Sequence, residues 1–220
     1  MNIQVFNTLN AVKFHLRSDL HVIRKLWHMG TGLMGLYIYY KSGLDSRTMS
    51  YILFGVAIFG FIIDLSRLKN DTINKFVMMF MGPFMRESEK TSLSGFPFYS
   101  LGVALSLFLF PERIAILSIL FLVFSDPISS YFGILYGKDK ILPNKSLQGT
   151  VAGYLCCYLV TLVYGMIFAE PTIQLLVFAI FGGVIGALSE LLSELVDDNL
   201  TIPVVSGAGL SFINLFIPLF

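Results

Sequence analysis

Charge is what this sequence has least of. Only 13% of its 220 residues are charged, where a soluble domain carries about 25%. A surface so poor in charge cannot keep this chain in water. Basic excess is also missing, since the formal net charge is +1, which excludes nucleic-acid binding by bulk charge. Only two cysteines occur, Cys156 and Cys157. They are adjacent in an apolar run, where helical neighbours point apart, so they are expected as apolar filler rather than a disulfide. The first 25 residues are polar and mixed, without the apolar core and small-residue site of a cleavable signal peptide. No internal repeat and no low-complexity tract is present.

What is present is apolar surface: 55% hydrophobic residues and a mean hydropathy of +0.77. Such a chain needs lipid as its solvent, and in lipid only helices or closed barrels satisfy the backbone. Seven stretches approach spanning length: Leu26 to Tyr40, Met49 to Leu65, Phe96 to Phe110, Ile114 to Tyr136, Val151 to Ala169, Ile173 to Leu195 and Pro203 to Phe220. The expected fold is all-α, a polytopic membrane protein of about seven transmembrane helices. An eighth stretch, Ile73 to Met85, is short and bracketed by cations, and reads as an interfacial or re-entrant segment.

Charge asymmetry supports that count. With a cytoplasmic N-terminus, seven spans place Lys13, Arg17, Arg24, Lys25, Arg67, Lys69, Lys75, Arg86, Lys90, Lys138, Lys140 and Lys145 inside. Lys41, Arg47 and Arg113 fall outside, twelve against three. Val5, Leu9, Val12, Leu16, Leu20, Ile23 and Trp27 recur at helical spacing, so residues 1–25 are expected as an amphipathic helix on the inner leaflet. Residues 26–220 then form a single transmembrane domain.

Four polar groups interrupt the apolar pattern. Arg24, Lys25, Trp27 and His28 stand at the mouth of the first span, before Gly30, Gly32 and Gly35, whose small size permits close packing or ligand approach. Asp126 lies within the fourth span in Ser125-Asp126-Pro127. A carboxylate there is costly unless paired or hydrated. Asp before Pro also makes a helix start, so this span is expected to be broken, with Ser129, Ser130, Gly133 and Gly137 on its second half.

The third group runs from Gly137-Lys138-Asp139-Lys140 through Asn144-Lys145-Ser146-Leu147-Gln148-Gly149. Cations, small residues and a helix start suit a polyphosphate. Gly133 to Asp139 is not a P-loop, because its spacing is one residue short and Asp139 replaces Ser or Thr. The fourth is Glu190, Glu194 and Asp197, spaced to share one helical face, followed by Asp198 and Asn199. Oxygen ligands favour Mg²⁺, which typically arrives with nucleotide phosphates. Topology anchors, a solvated loop or a self-satisfied buried Asp would explain any one group alone. Their coincidence on one membrane face points to nucleotide chemistry on a lipid.

Arg24-Lys25-Leu26-Trp27-His28-Met29-Gly30, Asp126 with Gly133 and Gly137-Lys138, Asn144-Lys145-Ser146-Leu147-Gln148-Gly149, and Glu190 with Asp197-Asp198-Asn199-Leu200-Thr201-Ile202-Pro203 resemble the dolichol kinase, phytol kinase and CTP-dependent diacylglycerol kinase family. That family is itself similar to the phosphatidate cytidylyltransferases. Gln148 departs from the pattern, which usually has Glu there. The resemblance implies a kinase that uses CTP to phosphorylate a membrane lipid alcohol of diacylglycerol, polyprenol or phytol type, and the carboxylates add Mg²⁺ as the expected cofactor. Arg24, Lys25, Asp126, Gly133, Lys138, Lys145 and Asp198 fall on its motif positions.

The expected catalytic residues are Asp126, Lys145 and Asp198. Arg24, Lys25, His28, Gly133, Gly137, Lys138, Lys140, Ser146, Gly149 and Asn199 are expected to bind nucleotide phosphates. Asp126, Glu190, Asp197 and Asp198 are expected to hold the metal. Two other readings remain at this point: cytidylyl transfer to a lipid phosphate, and a transporter using Asp126 in a broken helix. Small size suggests a prokaryotic cell membrane with a cytoplasmic site, and a homodimer is one expected assembly.

Overall fold

In the computed structural model the described chain, residues 20–169, 172–194 and 196–220, is almost entirely helical. The helices start and stop where local chemistry dictates. Helix α1 (Val22–Ser42) ends at Gly43, whose φ of 65° is the left-handed turn that glycine adopts freely. Asp45 then caps α2 (Ser46–Lys69), accepting from the Thr48 N–H at 3.0 Å. Asn70 caps α3 (Asp71–Met81) through the N–H groups of Thr72 and Ile73. Two 3-10 turns, Gly82–Phe84 and Glu87–Lys90, lead to α4 (Gly95–Leu109) and α5 (Glu112–Tyr136). A hairpin of β1 (Lys140–Leu142) and β2 (Lys145–Ser146) follows, antiparallel and irregular in register. Ser146 caps α6 (Leu147–Phe168), which is followed by α7 (Ile173–Leu192) and α8 (Asp198–Asn214).

Among the described residues four helices, α2, α5, α6 and α7, are long and apolar enough to cross a membrane. α4 is apolar but has 15 residues. The outward faces carry residues such as Phe59, Ile62, Ile167 and Ile173, each more than half exposed. Such a surface suits lipid. At 11 residues α3 rises only about 16 Å, too little to span. Most of the expected amphipathic stripe falls on residues 1–19, outside the described residues, and its last positions enter α1.

Helix α5 is the centre of the bundle. Ile114, Leu117, Phe121 and Leu122 pack with Cys157 and Tyr164 of α6, Phe178 of α7, and Ile202 and Leu210 of α8. Both cysteines are free and buried. α5 and α6 meet through glycine: a Cβ on Gly149 would stand 2.8 Å from the Ser129 carbonyl and 3.1 Å from the Gly133 Cα. α4 meets α8 the same way, since a Cβ on Gly102 would lie 2.2 Å from the Asn199 carbonyl. That carbonyl is the one Pro203, inside α8, cannot bond. Small residues at a crossing let helix backbones touch.

Three expectations are corrected. The fourth span is not broken: α5 runs unbroken from Glu112 to Tyr136 with Pro127 inside it. Proline costs the helix one hydrogen bond, and a helix packed on several sides tolerates that loss. The sixth span ends at Leu192 rather than Leu195, and Asp197 caps α8, so Glu190, Glu194 and Asp197 do not share one helical face. The stretch expected as the seventh span is α8, which begins at Asp198, not Pro203, and stops at Asn214. Asn214 there accepts from the Leu219 and Phe220 N–H groups and turns the chain back. Of the three glycines in α1, only Gly32 is crowded, against Tyr99 and Val123; Gly30 and Gly35 have nothing within 4 Å.

Candidate active site

Successive long helices alternate in direction, so the start of α1, the end of α5, the start of α6, the end of α7 and the start of α8 meet at one end of the bundle. There they enclose a cavity of about 300 Å³. Asp126, Lys145 and Asp198 all line it, although up to 72 residues of chain separate them. So do Arg24, Lys25, His28, Gly133, Gly137, Lys140, Ser146, Gly149, Glu190 and Asn199. Two expected site residues do not line it. Lys138 is exposed, with its backbone N–H on the Gln148 side chain. Asp197 spends its carboxylate on the Asn199 backbone and side chain at 3.0 and 2.8 Å.

Lys145 is the hub. The hairpin carries it inward, 8% exposed. Its Nζ donates to Glu190 Oε1 at 2.7 Å, to Ser193 Oγ at 3.0 Å and to Asp198 Oδ1 at 3.3 Å. Ser193 also donates to Asp198 Oδ1, and Ser129 to Glu190 Oε1 at 3.3 Å. Burial opposes the ammonium, but the Asp198 and Glu190 carboxylates outweigh it and hold the Lys145 pKa above the usual lysine value. Asp197 moves for the opposite reason. Burial pushes its carboxyl up to about 6, against the pull of its bonds to Asn199.

The expected four-carboxylate metal site does not assemble. Among the described residues no three His, Cys, Asp or Glu side chains surround a common point. Glu190 and Asp198 gather on the Lys145 ammonium instead, at 2.7 and 3.3 Å. Glu190 Oε2 is buried without a partner, and the Asp126 carboxylate has no hydrogen bond or ion pair among the described residues.

The cationic wall has two halves. Lys25 donates to Ser130 Oγ at 2.8 Å, and His28 Nε2 donates to the Leu122 carbonyl at 3.1 Å. Arg24 binds Glu89 through both terminal nitrogens, at 3.0 and 3.1 Å, and donates to the Phe84 carbonyl at 2.9 Å. Arg86 Nη2 lies 4.0 Å from Asp198 Oδ2. Arg86, His21, Ser129 and Ser130 also line the cavity. In the sequence Arg86 stands out only as a topology marker. Its signal was the dense polar run Arg86-Glu87-Ser88-Glu89 directly after an apolar half-length segment.

Gln148 has a local structural reason. Its oxygen accepts from the Lys138 and Asp139 N–H groups, and its Nε2 donates to Asp139 Oδ2 at 2.6 Å. A Glu there would face Asp139 as a like charge and lose that donor. The amide closes the base of the hairpin that presents Lys145.

The chain matches the cytidylyltransferase family over residues 13–195. It is 35% identical over 212 residues to CTP-dependent diacylglycerol kinase 1 of Schizosaccharomyces pombe, covering 89% of this chain and 95% of that protein. It is 30% identical over 204 residues to CTP-dependent diacylglycerol kinase 1 of Saccharomyces cerevisiae, covering 84% of this chain and 70% of that one. An uncharacterized protein of Rickettsia prowazekii is 25% identical over 190 residues, covering 84% of this chain and 90% of its own length. No solved structure matches.

Proposed function

This chain belongs to the cytidylyltransferase family, and from that premise we propose that it is a CTP-dependent lipid kinase that phosphorylates the hydroxyl of a diacylglycerol-type membrane alcohol. Its nearer relatives in sequence carry that activity in their names. The observation that carries the reading is the single cavity in which Asp126, Lys145 and Asp198 meet beneath Arg24, Lys25, Arg86 and Lys140, at one end of an apolar bundle. A nucleotide triphosphate needs that density of cations, and its lipid acceptor needs the membrane beside it.

The seven long helices are read as crossing the membrane, with the N-terminus and cavity on the cytoplasmic side, where CTP is available. α3 then lies along the interface. Arg24, Lys25 and Lys140 neutralise phosphate charge, and the hairpin and the α6 start approach the phosphates closely because Gly133, Gly137 and Gly149 carry no side chain. The lipid reaches the cavity from the side. Phe132, Tyr136 and Gln148 line an apolar groove of about 1060 Å³ along α5 and α6, and their neighbours Gly133, Gly137 and Gly149 line the cavity. The alcohol's chains lie in the groove with the hydroxyl toward Asp126.

In the reaction the hydroxyl oxygen forms a bond to the γ-phosphorus as the bridging oxygen–γ-phosphorus bond breaks, releasing CDP. Positioning and charge neutralisation supply most of the acceleration in such a transfer. Asp126, whose carboxylate has no hydrogen bond or ion pair among the described residues, is the residue that orients the hydroxyl and accepts its proton.

Mg²⁺ bound with a nucleotide keeps most of its shell as water and phosphate and asks the protein for one or two carboxylates. Asp126 and Asp198 meet that demand without a preformed protein cage. When bound, the ion would supply charge neutralisation at the phosphates. The family's description keeps one rival, cytidylyl transfer to phosphatidate. Purified protein with diacylglycerol and γ-labelled CTP decides between them. Label in the lipid product is expected, whereas label appearing only from α-labelled CTP with phosphatidate as acceptor would overturn the kinase reading. The transporter alternative loses its basis with the unbroken α5.

A further inference from the structure

Arg24 is expected at the nucleotide phosphates, yet three of its five N–H groups are already engaged, two by Glu89 and one by the Phe84 carbonyl. Glu89 itself is 6% exposed and does not line the cavity. Its Oε2 also accepts from the Arg86 backbone N–H at 2.9 Å, so one carboxylate holds both arginines of the cavity wall. A Cβ on Gly95 would sit 2.8 Å from Asn199 Nδ2, 3.5 Å from an Arg24 nitrogen and 3.8 Å from Glu89 Oε1, so these groups converge on the start of α4.

The turn that carries Glu89 is fixed from beneath. The Arg67 side chain is fully buried at the end of α2. It donates to the Glu89 carbonyl and the Ser92 carbonyl at 2.8 Å each, and to Asp64 Oδ1 at 2.6 Å. The other oxygen of Asp64 accepts from the Ser94 N–H and hydroxyl at 2.6 and 2.8 Å. A buried charge is retained only when fully paired. Here the pairing leads step by step from Asp64 through Arg67 and Glu89 to Arg24.

We propose that Glu89, pinned by Arg67 and Asp64, is a positioning residue for the phosphate-binding arginines. It holds the Arg24 guanidinium flat so that its free edge faces the cavity, and it fixes Arg86 through its backbone. Glu89 touches no substrate; it acts through the arginines. A guanidinium without this partner keeps its charge but loses its orientation, and bidentate recognition of phosphate depends on orientation.

The proposal rests on the kinase reading only for the identity of the nucleotide, so its test includes a ligand that does not. Glu89→Gln keeps an acceptor for the Arg86 N–H and removes the charge that grips Arg24. Tripolyphosphate affinity, by calorimetry on protein in nanodiscs, is expected to fall about tenfold, the loss of one charge-assisted bond. KM for CTP is expected to rise by a similar factor with KM for diacylglycerol unchanged. In an Arg24→Ala background Glu89→Gln is expected to add less than about twofold, because the two act through one contact. Glu89→Asp keeps the charge but is too short for both nitrogens, and an intermediate effect is expected; it also serves if the Gln variant does not fold. Unchanged tripolyphosphate affinity, or effects of Arg24→Ala and Glu89→Gln that simply multiply, would overturn the positioning role. Wild-type protein that binds tripolyphosphate but never transfers the γ-phosphate of CTP would sink the kinase reading instead.

Discussion

Replacing Lys145 with Met removes the hub of the cavity while preserving much of its volume. The ammonium is 8% exposed and makes its 2.7 Å contact with Glu190, whose side chain is 6% exposed, so water screens little of the pair. Glu190 would be left with a carboxylate whose Oε2 already lacks a partner, a few ångströms from Asp198. Breaking a buried pair by removing one partner costs about 3–5 kcal/mol. In a chain of this size that corresponds to a fall in melting temperature on the order of 10 °C. The assay is thermal unfolding in detergent, with turnover measured on the same samples. The double variant Lys145→Met/Glu190→Gln removes the stranded charge, so it is expected to regain more than half of the lost stability and none of the activity. A single variant melting within about 2 °C of wild type, or a double variant no more stable than the single, would refute the hub as the source of this stability.

Asp126→Asn is expected to abolish turnover and leave the melting temperature unchanged, because the carboxylate makes no hydrogen bond or ion pair among the described residues to lose; calorimetry beside a kinase assay checks both. Gly149→Ala forces a Cβ against the Ser129 carbonyl 2.8 Å away, so α5 and α6 must part, costing about 1–3 kcal/mol and much of the activity. Gly30→Ala, with nothing within 4 Å, should be neutral or stabilising in the same melts. Asp197 titrates near 6 in the folded chain against an ordinary 3.8, so the folded state holds the extra proton between those values. Stability from this group is therefore greatest below the lower value and falls as pH rises through the window, by about 2–3 kcal/mol in all. Asp197→Asn keeps the cap and should flatten that part of the stability–pH curve.

The sequence by itself determined the helical stretches and their approximate places. Helix formation in an apolar run depends on local composition, and caps such as Asp45, Ser146 and Asp197 are local too. It also determined that Arg24, Lys25, Asp126, Lys145 and Asp198 would gather at one end, because alternating helices of similar length return to the same side. What only the tertiary structure decided was who pairs with whom. Lys145 takes the acidic residues that spacing had offered to a metal, and Glu89, distant in sequence from Arg24, takes the arginine. Pro127 looked like a break because its local rule is a lost hydrogen bond. Packing of α5 against α1, α6 and α8 decided otherwise. The physical reason is common to all three. Propensity and capping are settled within a few residues, whereas a buried charge or an unbonded carbonyl is settled by whatever the fold brings beside it.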